Sequence, residues 1–238
     1  MEINPPLPVR IWGLDFNYAT IFMSLVVSFI LILVFYLATR QLKMVPGRLQ
    51  ALVEIIAEFF DNILTQTFGK ERGRRYLSII GTLFLFICLS NMIGLLPIPQ
   101  FRILGFPIPE FVEPTRDYNT PFALMVFVLF LVHGSEIRTK GLWGYIKTYF
   151  KPYFIAPYMF PMNILGRIGH LLSLHFRLFG NIFGGAVIIM LVNQGWAVIF
   201  PPVPLIVNVF FGLFVGLIQA FVFTILVISY TAVAIAEE

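Results

Sequence analysis

From Pro152 to Ala236 the chain holds no Asp, Glu or Lys, and Leu, Ile, Val and Phe run through it almost without pause. Two arginines, Arg167 and Arg177, stand inside this stretch. In hydrocarbon each backbone polar group must be satisfied internally, so a run this apolar folds as membrane helices. Arginine stays charged at any accessible pH and carries five donors that need partners. Near a bilayer centre it costs about 2.5–3.5 kcal/mol on insertion scales. This half of the chain therefore buries positive charge without an anion of its own. The counter-charge has to come from elsewhere in the chain, from water, or from another subunit.

The rest of the chain has the same character. Hydrophobic residues make up 59% of it, well above the roughly 45–50% of soluble domains. Five segments reach the roughly 20 residues that a helix needs to cross a bilayer: Phe16–Thr39, Tyr76–Leu96, Thr120–Ile137, Pro157–Gln194 and Pro204–Ala236. Pro97, Pro99, Pro107 and Pro109 break the chain after the second, and Pro201, Pro202 and Pro204 after the fourth. The first segment precedes its positive charges instead of following them, so it reads as a retained anchor and not a secretory signal. The formal net charge of +4 does not point to nucleic acid, because the basic residues cluster between the spans as topology signals do.

Those clusters set an orientation. Arg40, Lys43, Arg48, Lys70, Arg72, Arg74, Arg75, Arg138, Lys140, Lys147 and Lys151 fall on one side, against Arg10, Arg102 and Arg116 on the other. The positive-inside rule places the first set in the cytoplasm, the N-terminus outside and Glu237–Glu238 inside. Between the first two spans, Leu49, Leu52, Val53, Ile56, Phe59, Phe60 and Ile63 recur at helical spacing, with Glu54, Glu58 and Asp61 on the other side. This predicts an amphipathic interfacial helix over 49–65. The expected fold is one all-α membrane domain, residues 1–238, with five spans and one interfacial helix. The last two spans exceed the bilayer thickness. Asn163–Val192 alone would measure about 45 Å at a rise of 1.5 Å per residue, so both helices are expected to tilt steeply and present one broad face to a neighbour.

At 100° per residue, Arg167, His170, Arg177 and Asn181 share one face of the fourth span, with Ser173 at its edge. Gly180, Gly184 and Gly185 flatten the helix there and permit a close approach. On the fifth span, Asn208, Gly212, Gln219 and Tyr230 line up within about 40°. Hydrogen bonding between helices accounts for single Asn or Gln residues, but it gives no return for desolvating two arginines. Arg167, near the cytoplasmic end, is expected to snorkel to the interface; Arg177 lies too deep for that. The sequence holds no metal-ligand cluster, no phosphate loop and no nucleophile–base pair. His170 and His175 point to different sides of their helix, and His133 is on another span. Cys88 is the sole cysteine, which excludes a disulfide framework. No cofactor, metal or catalytic chemistry is expected, only a fixed cation with polar groups leading to it from both ends. Those are parts for handling ions.

The run Ser173–Asn181 (SLHFRLFGN) resembles the SLxxRLFGN motif of subunit a of the rotary F-type ATP synthase, bacterial type. Ser90–Pro97 resembles the family's NxxGLxP. Pro114–Thr120 resembles its PTxDxNT loop, and Gln219–Phe223 followed by Tyr230 its QAFxF…Y. The resemblance implies a stator ion-channel subunit in the bacterial cytoplasmic membrane. Its partners would be a c-subunit ring with a mid-membrane Glu or Asp, b-type peripheral stalk subunits, membrane lipid and, indirectly, the catalytic head. Arg177 would be the essential charge that makes each ring carboxylate ionise as it passes. The resemblance implies an outer half-channel with Asp117, Asn119, Asn181, Asn208 and Gln219, and an inner one with Asn163, His170, Ser173 and Tyr230. Many relatives carry a carboxylate where this chain has Ala186, a His or Glu where it has Gly212, and acids early in the fourth span where it has Asn163 and Arg167. Protons are the expected coupling ion. Sodium is the alternative, and a secondary ion transporter is a more distant one. A transporter would show related halves and broken helices, and a plain anchor subunit would not account for Arg177 with Asn181 and Gln219.

Overall fold

The computed structural model describes residues 9–11, 14–96, 98, 101–103, 106–151, 155–196, 200 and 202–236. Its membrane body is all-α. Five helices are long and apolar enough to cross a bilayer: Tyr18–Thr39, Lys70–Leu95, Asn119–Thr148, Pro157–Gly195 and Pro202–Ile235. Two short antiparallel hairpins occupy connections, one pairing β1 (Val9–Ile11) with β2 (Leu14–Phe16), the other β3 (Phe101–Ile103) with β4 (Phe106–Ile108). Glu237–Glu238 fall outside the described residues.

Helix α1 (Tyr18–Thr39) starts where the Asn17 side chain accepts from the Ala19 amide at 3.0 Å, satisfying one of the orphan donors of a helix start. It packs Met23, Val27 and Leu31 against Ile93 and leaves Leu25, Phe29 and Ile32 exposed. A surface of this kind suits lipid. Helix α2 (Arg48–Phe68) is the expected amphipathic helix, slightly longer at both ends. Gly69, at φ +80°, turns the chain directly into α3 (Lys70–Met92), a backbone conformation that favours glycine. The two helices then press so close that a methyl group on Gly73 would sit 2.9 Å from the Leu64 carbonyl carbon. Phe60 and Leu64 of α2 are fully buried, while Leu49, Leu52 and Phe59 stay exposed.

The third span runs further than its apolar stretch. Helix α4 covers Asn119–Thr148 and breaks at Gly141, where φ is 71° and ψ 166°. The sequence put the end near Ile137, at the first charged residues. Those charges do not stop the helix because they are paired: Glu136 lies 3.6 Å from Lys140 one turn later and also meets α5. Helix α5 (Ala156–Trp196) has 41 residues with Pro161 near its start, which is about 61 Å at 1.5 Å per residue. The last span consists of α6 (Pro202–Val209), a π-helical turn (Phe210–Val215) and α7 (Gly216–Ile235). The main core joins Phe60 and Leu64 of α2, Ile80, Leu83 and Ile87 of α3, Val128 of α4, Leu174, Leu178 and Ile182 of α5, and Ala220, Phe223 and Val227 of α7.

Candidate functional site

Leu174, Leu178 and Ile182 recur every four residues and carry one side of α5 into the core. The same register turns Ser173, Arg177, Gly180 and Asn181 outward, and all four are exposed. Arg177 makes no hydrogen bond or ion pair among the described residues. Its charge therefore lies on an open helix face, between two polar contacts that tie α5 to α7. On one side of it Asn181 Nδ2 donates to Gln219 Oε1 at 2.6 Å. On the other, the His170 ring stacks on Tyr230, with centroids 4.9 Å apart and planes 4° from parallel. Equal numbers of residues separate His170 from Asn181 and Gln219 from Tyr230, so the antiparallel helices stay in register across the arginine.

The stripe expected on the last span is split. Gln219 and Tyr230 face α5, whereas Gly212 packs into the molecule, where a methyl group would meet Leu95 Cδ2 at 2.5 Å. Asn208 lines a cavity of about 570 Å³ with Gly94, Glu113, Ala186 and Asn193. The cause is the π turn at Phe210–Val215. Its hydrogen bonds reach one residue further than in an α-helix, so each residue turns through a smaller angle. Residues upstream of it fall out of the α-helical phase. Of the three glycines expected to allow a close approach, Gly185 lies against Phe211, 2.7 Å from the position of an added methyl; Gly180 and Gly184 have nothing within 4 Å.

Arg167 does not snorkel. Its guanidinium grips the fully buried carboxylate of Glu136 with both ends of the fork, Nη2 to Oε1 at 3.0 Å. It also lies 4.4 Å from the Tyr149 ring centroid, and His133 Nδ1 is 3.5 Å from Nη1. The anion lies on α4, in the last turn of the span read from sequence. A buried carboxylate with a planar bidentate partner is well matched, and the sequence reading missed it because the two residues are far apart in the chain.

Asp117, Asn119 and Asn163 each make hydrogen bonds at a helix end. Asp117 accepts from Thr20 Oγ1 at 2.9 Å and from both the backbone and side chain of Asn119, at 2.9 and 3.0 Å. It thereby satisfies the first amide of α4 and ties the start of that helix to α1. Asn163 donates to the carbonyls of Tyr149 and Lys151, closing the α4–α5 turn. Two residues from the family-like motifs, neither of them singled out as a site residue, form a buried knot with the backbone of Gly216. Asn91 Nδ2 donates to the Gly216 carbonyl at 2.9 Å, and Thr115 Oγ1 donates to Asn91 Oδ1 at 2.6 Å. Asn91 and Thr115 are fully buried. His175 is also buried, packed edge-on against Tyr118 at 4.5 Å. Among the described residues no group of three or more His, Cys, Asp and Glu could hold a metal ion.

Residues 21–232 match the family described as ATP synthase A chain. ATP synthase subunit a of Moorella thermoacetica is 37% identical over 216 residues, 90% of this chain and 89% of the relative. The Bacillus subtilis subunit a is 34% identical over 243 residues, 97% of each chain. A relative from Propionigenium modestum, named "ATP synthase subunit a, sodium ion specific", is 36% identical over 221 residues, 92% of this chain and 74% of its own. With five membrane-crossing helices and these relatives, the chain belongs to the ATP synthase A chain family, the ion-channel stator subunit a of the F-type ATP synthase.

Proposed function

We propose that Arg177 is the charge against which a ring of c subunits exchanges its coupling ion. The observation that carries this is its place: exposed on α5, unpaired among the described residues, and bracketed by the Asn181–Gln219 and His170–Tyr230 contacts. A ring carboxylate facing lipid is neutral, because ionisation there is costly. Brought beside Arg177 it ionises, since an adjacent positive charge lowers its pKa. The released ion leaves to one aqueous side and the next enters from the other, with Arg177 between the two paths. No covalent step occurs in this subunit.

The outer path runs from the cavity beside Asn208 past Asn181 and Gln219, and the inner path past Ser173, His170 and Tyr230. Asp117, Asn119 and Asn163 hold the helix ends that frame these paths. The orientation follows the basic residues: N-terminus outside, C-terminus in the cytoplasm of a bacterial cell. Besides the ring, b-type stalk subunits and lipid contact the chain, and the catalytic head is linked through the stalk.

Protons are the proposed ion. Sodium is the second reading, favoured by the sodium-specific relative. Both readings require Arg177. In Arg177→Ala, ATP-driven pumping by the assembled complex is expected to vanish while the detached head still hydrolyses ATP; normal coupled pumping would end the assignment. Arg177→Lys is also expected to fail, because a point charge on a flexible stem does not replace the planar fork.

A further inference from the structure

The cavity beside Asn208 has an acidic wall that the exchange at Arg177 does not use. Glu113 and Glu110 line it, with Arg116, Asn193, Gln194 and Ala186. Its volume of about 570 Å³ has room for a chain of waters at about 30 Å³ each. Glu113 lies deeper in the protein than Glu110, which is exposed. Its carboxyl lies over Gly94, where even a methyl group would overlap Oε1, Cδ and Cγ. Gly94, in the family-like segment, is therefore the floor on which this carboxyl rests. The site opens toward α5 at Ala186, one turn and a little more beyond Asn181. From there the Asn181–Gln219 pair leads to Arg177, and Gln219 Nε2 is buried with no partner among the described residues.

We propose that Glu113 is the carboxylate that takes up the coupling cation at the Asp117 end of the bundle and delivers it through this cavity toward Gln219 and Arg177. The proposal rests on the channel reading above and adds a residue to it. A carboxylate on the wall of an open cavity concentrates cations near it and gives them a first stop between bulk water and the membrane interior. Among the described residues the charged groups that face it are Glu110 and Arg116, both on its own connection; α5 and α6 offer the amides Asn193, Gln194 and Asn208. Burial pushes the Glu113 carboxyl above the ordinary carboxylate range, against the pull of its own backbone hydrogen bond and of Arg116, while Glu110 adds to the rise. Glu113 therefore exchanges a proton nearer to neutral pH than a surface glutamate would.

The test uses the whole ATP synthase in sealed vesicles, with synthesis driven by an imposed gradient and the cation varied only in the compartment at the Asp117 end. Glu113→Gln is expected to raise several-fold the proton or sodium concentration needed for half-maximal rate, with a smaller change in the maximal rate. Glu113→Asp is expected to fall between this and the wild type, and Glu110→Gln to shift the cation dependence less than Glu113→Gln does. A wild-type cation dependence in Glu113→Gln would overturn the proposal. Should that variant not assemble, Glu113→Cys decides. A membrane-impermeant thiol reagent that installs a carboxylate is expected to restore the dependence, and one that installs an ammonium group is not. Equal effects of the two reagents would overturn it. Inactive Arg177→Ala beside unaltered Glu113→Gln would remove Glu113 and leave the channel reading standing. Coupled pumping in Arg177→Ala would remove the reading itself.

Discussion

Asn181 donates its side-chain amide to Gln219 Oε1 at 2.6 Å, one helical turn from Arg177. Neither Asn181→Ala nor Gln219→Ala should block assembly, but each should lower ATP-driven pumping in vesicles. Because the two side chains form one contact, the double variant is expected to be no worse than the more damaged single. Residues in direct contact typically couple by about 0.5–3 kcal/mol. Losses that simply add would show that the two act apart.

The Arg167–Glu136 pair makes a different prediction from the one its position in the sequence suggested. A snorkelling arginine would tolerate Arg167→Gln. A bidentate partner of a fully buried carboxylate would not, since breaking such a pair from one side costs about 3–5 kcal/mol. Arg167→Gln should reduce the amount of subunit a in membranes and the thermal stability of the purified complex. Arg167→Gln combined with Glu136→Gln should recover much of both. A stable, fully assembled Arg167→Gln complex would show that Glu136 does not need its partner.

Asn91 joins three segments at once, through the Gly216 carbonyl and the Thr115 hydroxyl. Asn91→Ala leaves the buried Thr115 hydroxyl without its acceptor, at about 1–3 kcal/mol, and takes the second donor from the Gly216 carbonyl, which helix α7 still engages. Gly216→Ala should weaken the same junction by sterics, because its methyl group would sit 2.9 Å from Asn91 Cβ. Thermal unfolding of the detergent-solubilised complex reads both, and an unchanged midpoint for Asn91→Ala would mean that water replaces the lost amide.

The coupling ion is open to a direct assay. If protons are carried, reconstituted enzyme should make ATP from a pH gradient in sodium-free buffer. If sodium is carried, millimolar Na⁺ should stimulate hydrolysis near neutral pH and protect the ring carboxylate from carbodiimide. Sodium protection would overturn the proton reading and leave the proposed role of Arg177 untouched, since the proposed exchange at the arginine is open to either ion.

The spans were legible because their length and apolarity are local properties, and α1, α3, α5 and the last span fall close to where the sequence placed them. What was not legible depends on partners distant in the chain. Charge at residues 136–140 reads as the start of a loop until Arg167 of α5 is placed beside Glu136. The hairpin strands are three residues each, too short for an alternating pattern to register. Arg177 was recognisable as a charge without a local anion, whereas Glu113 drew no notice in a proline-rich connection. Only the fold sets it over Gly94 and opposite Ala186.

The π turn at Phe210–Val215 gives the last helix a spare residue. Downstream, Gln219 and Tyr230 keep their engagement with α5; upstream, Asn208 is dialled round to the cavity wall. Removing one residue from this turn would let it tighten into ordinary α-helix and swing everything before it by about 100°. The helix would still cross the membrane and still hold α5, but its first half would present a different side chain to the cavity. Two tasks of one helix, gripping a neighbour and lining a cavity, are thus uncoupled by a single position, and either can change its register without disturbing the other.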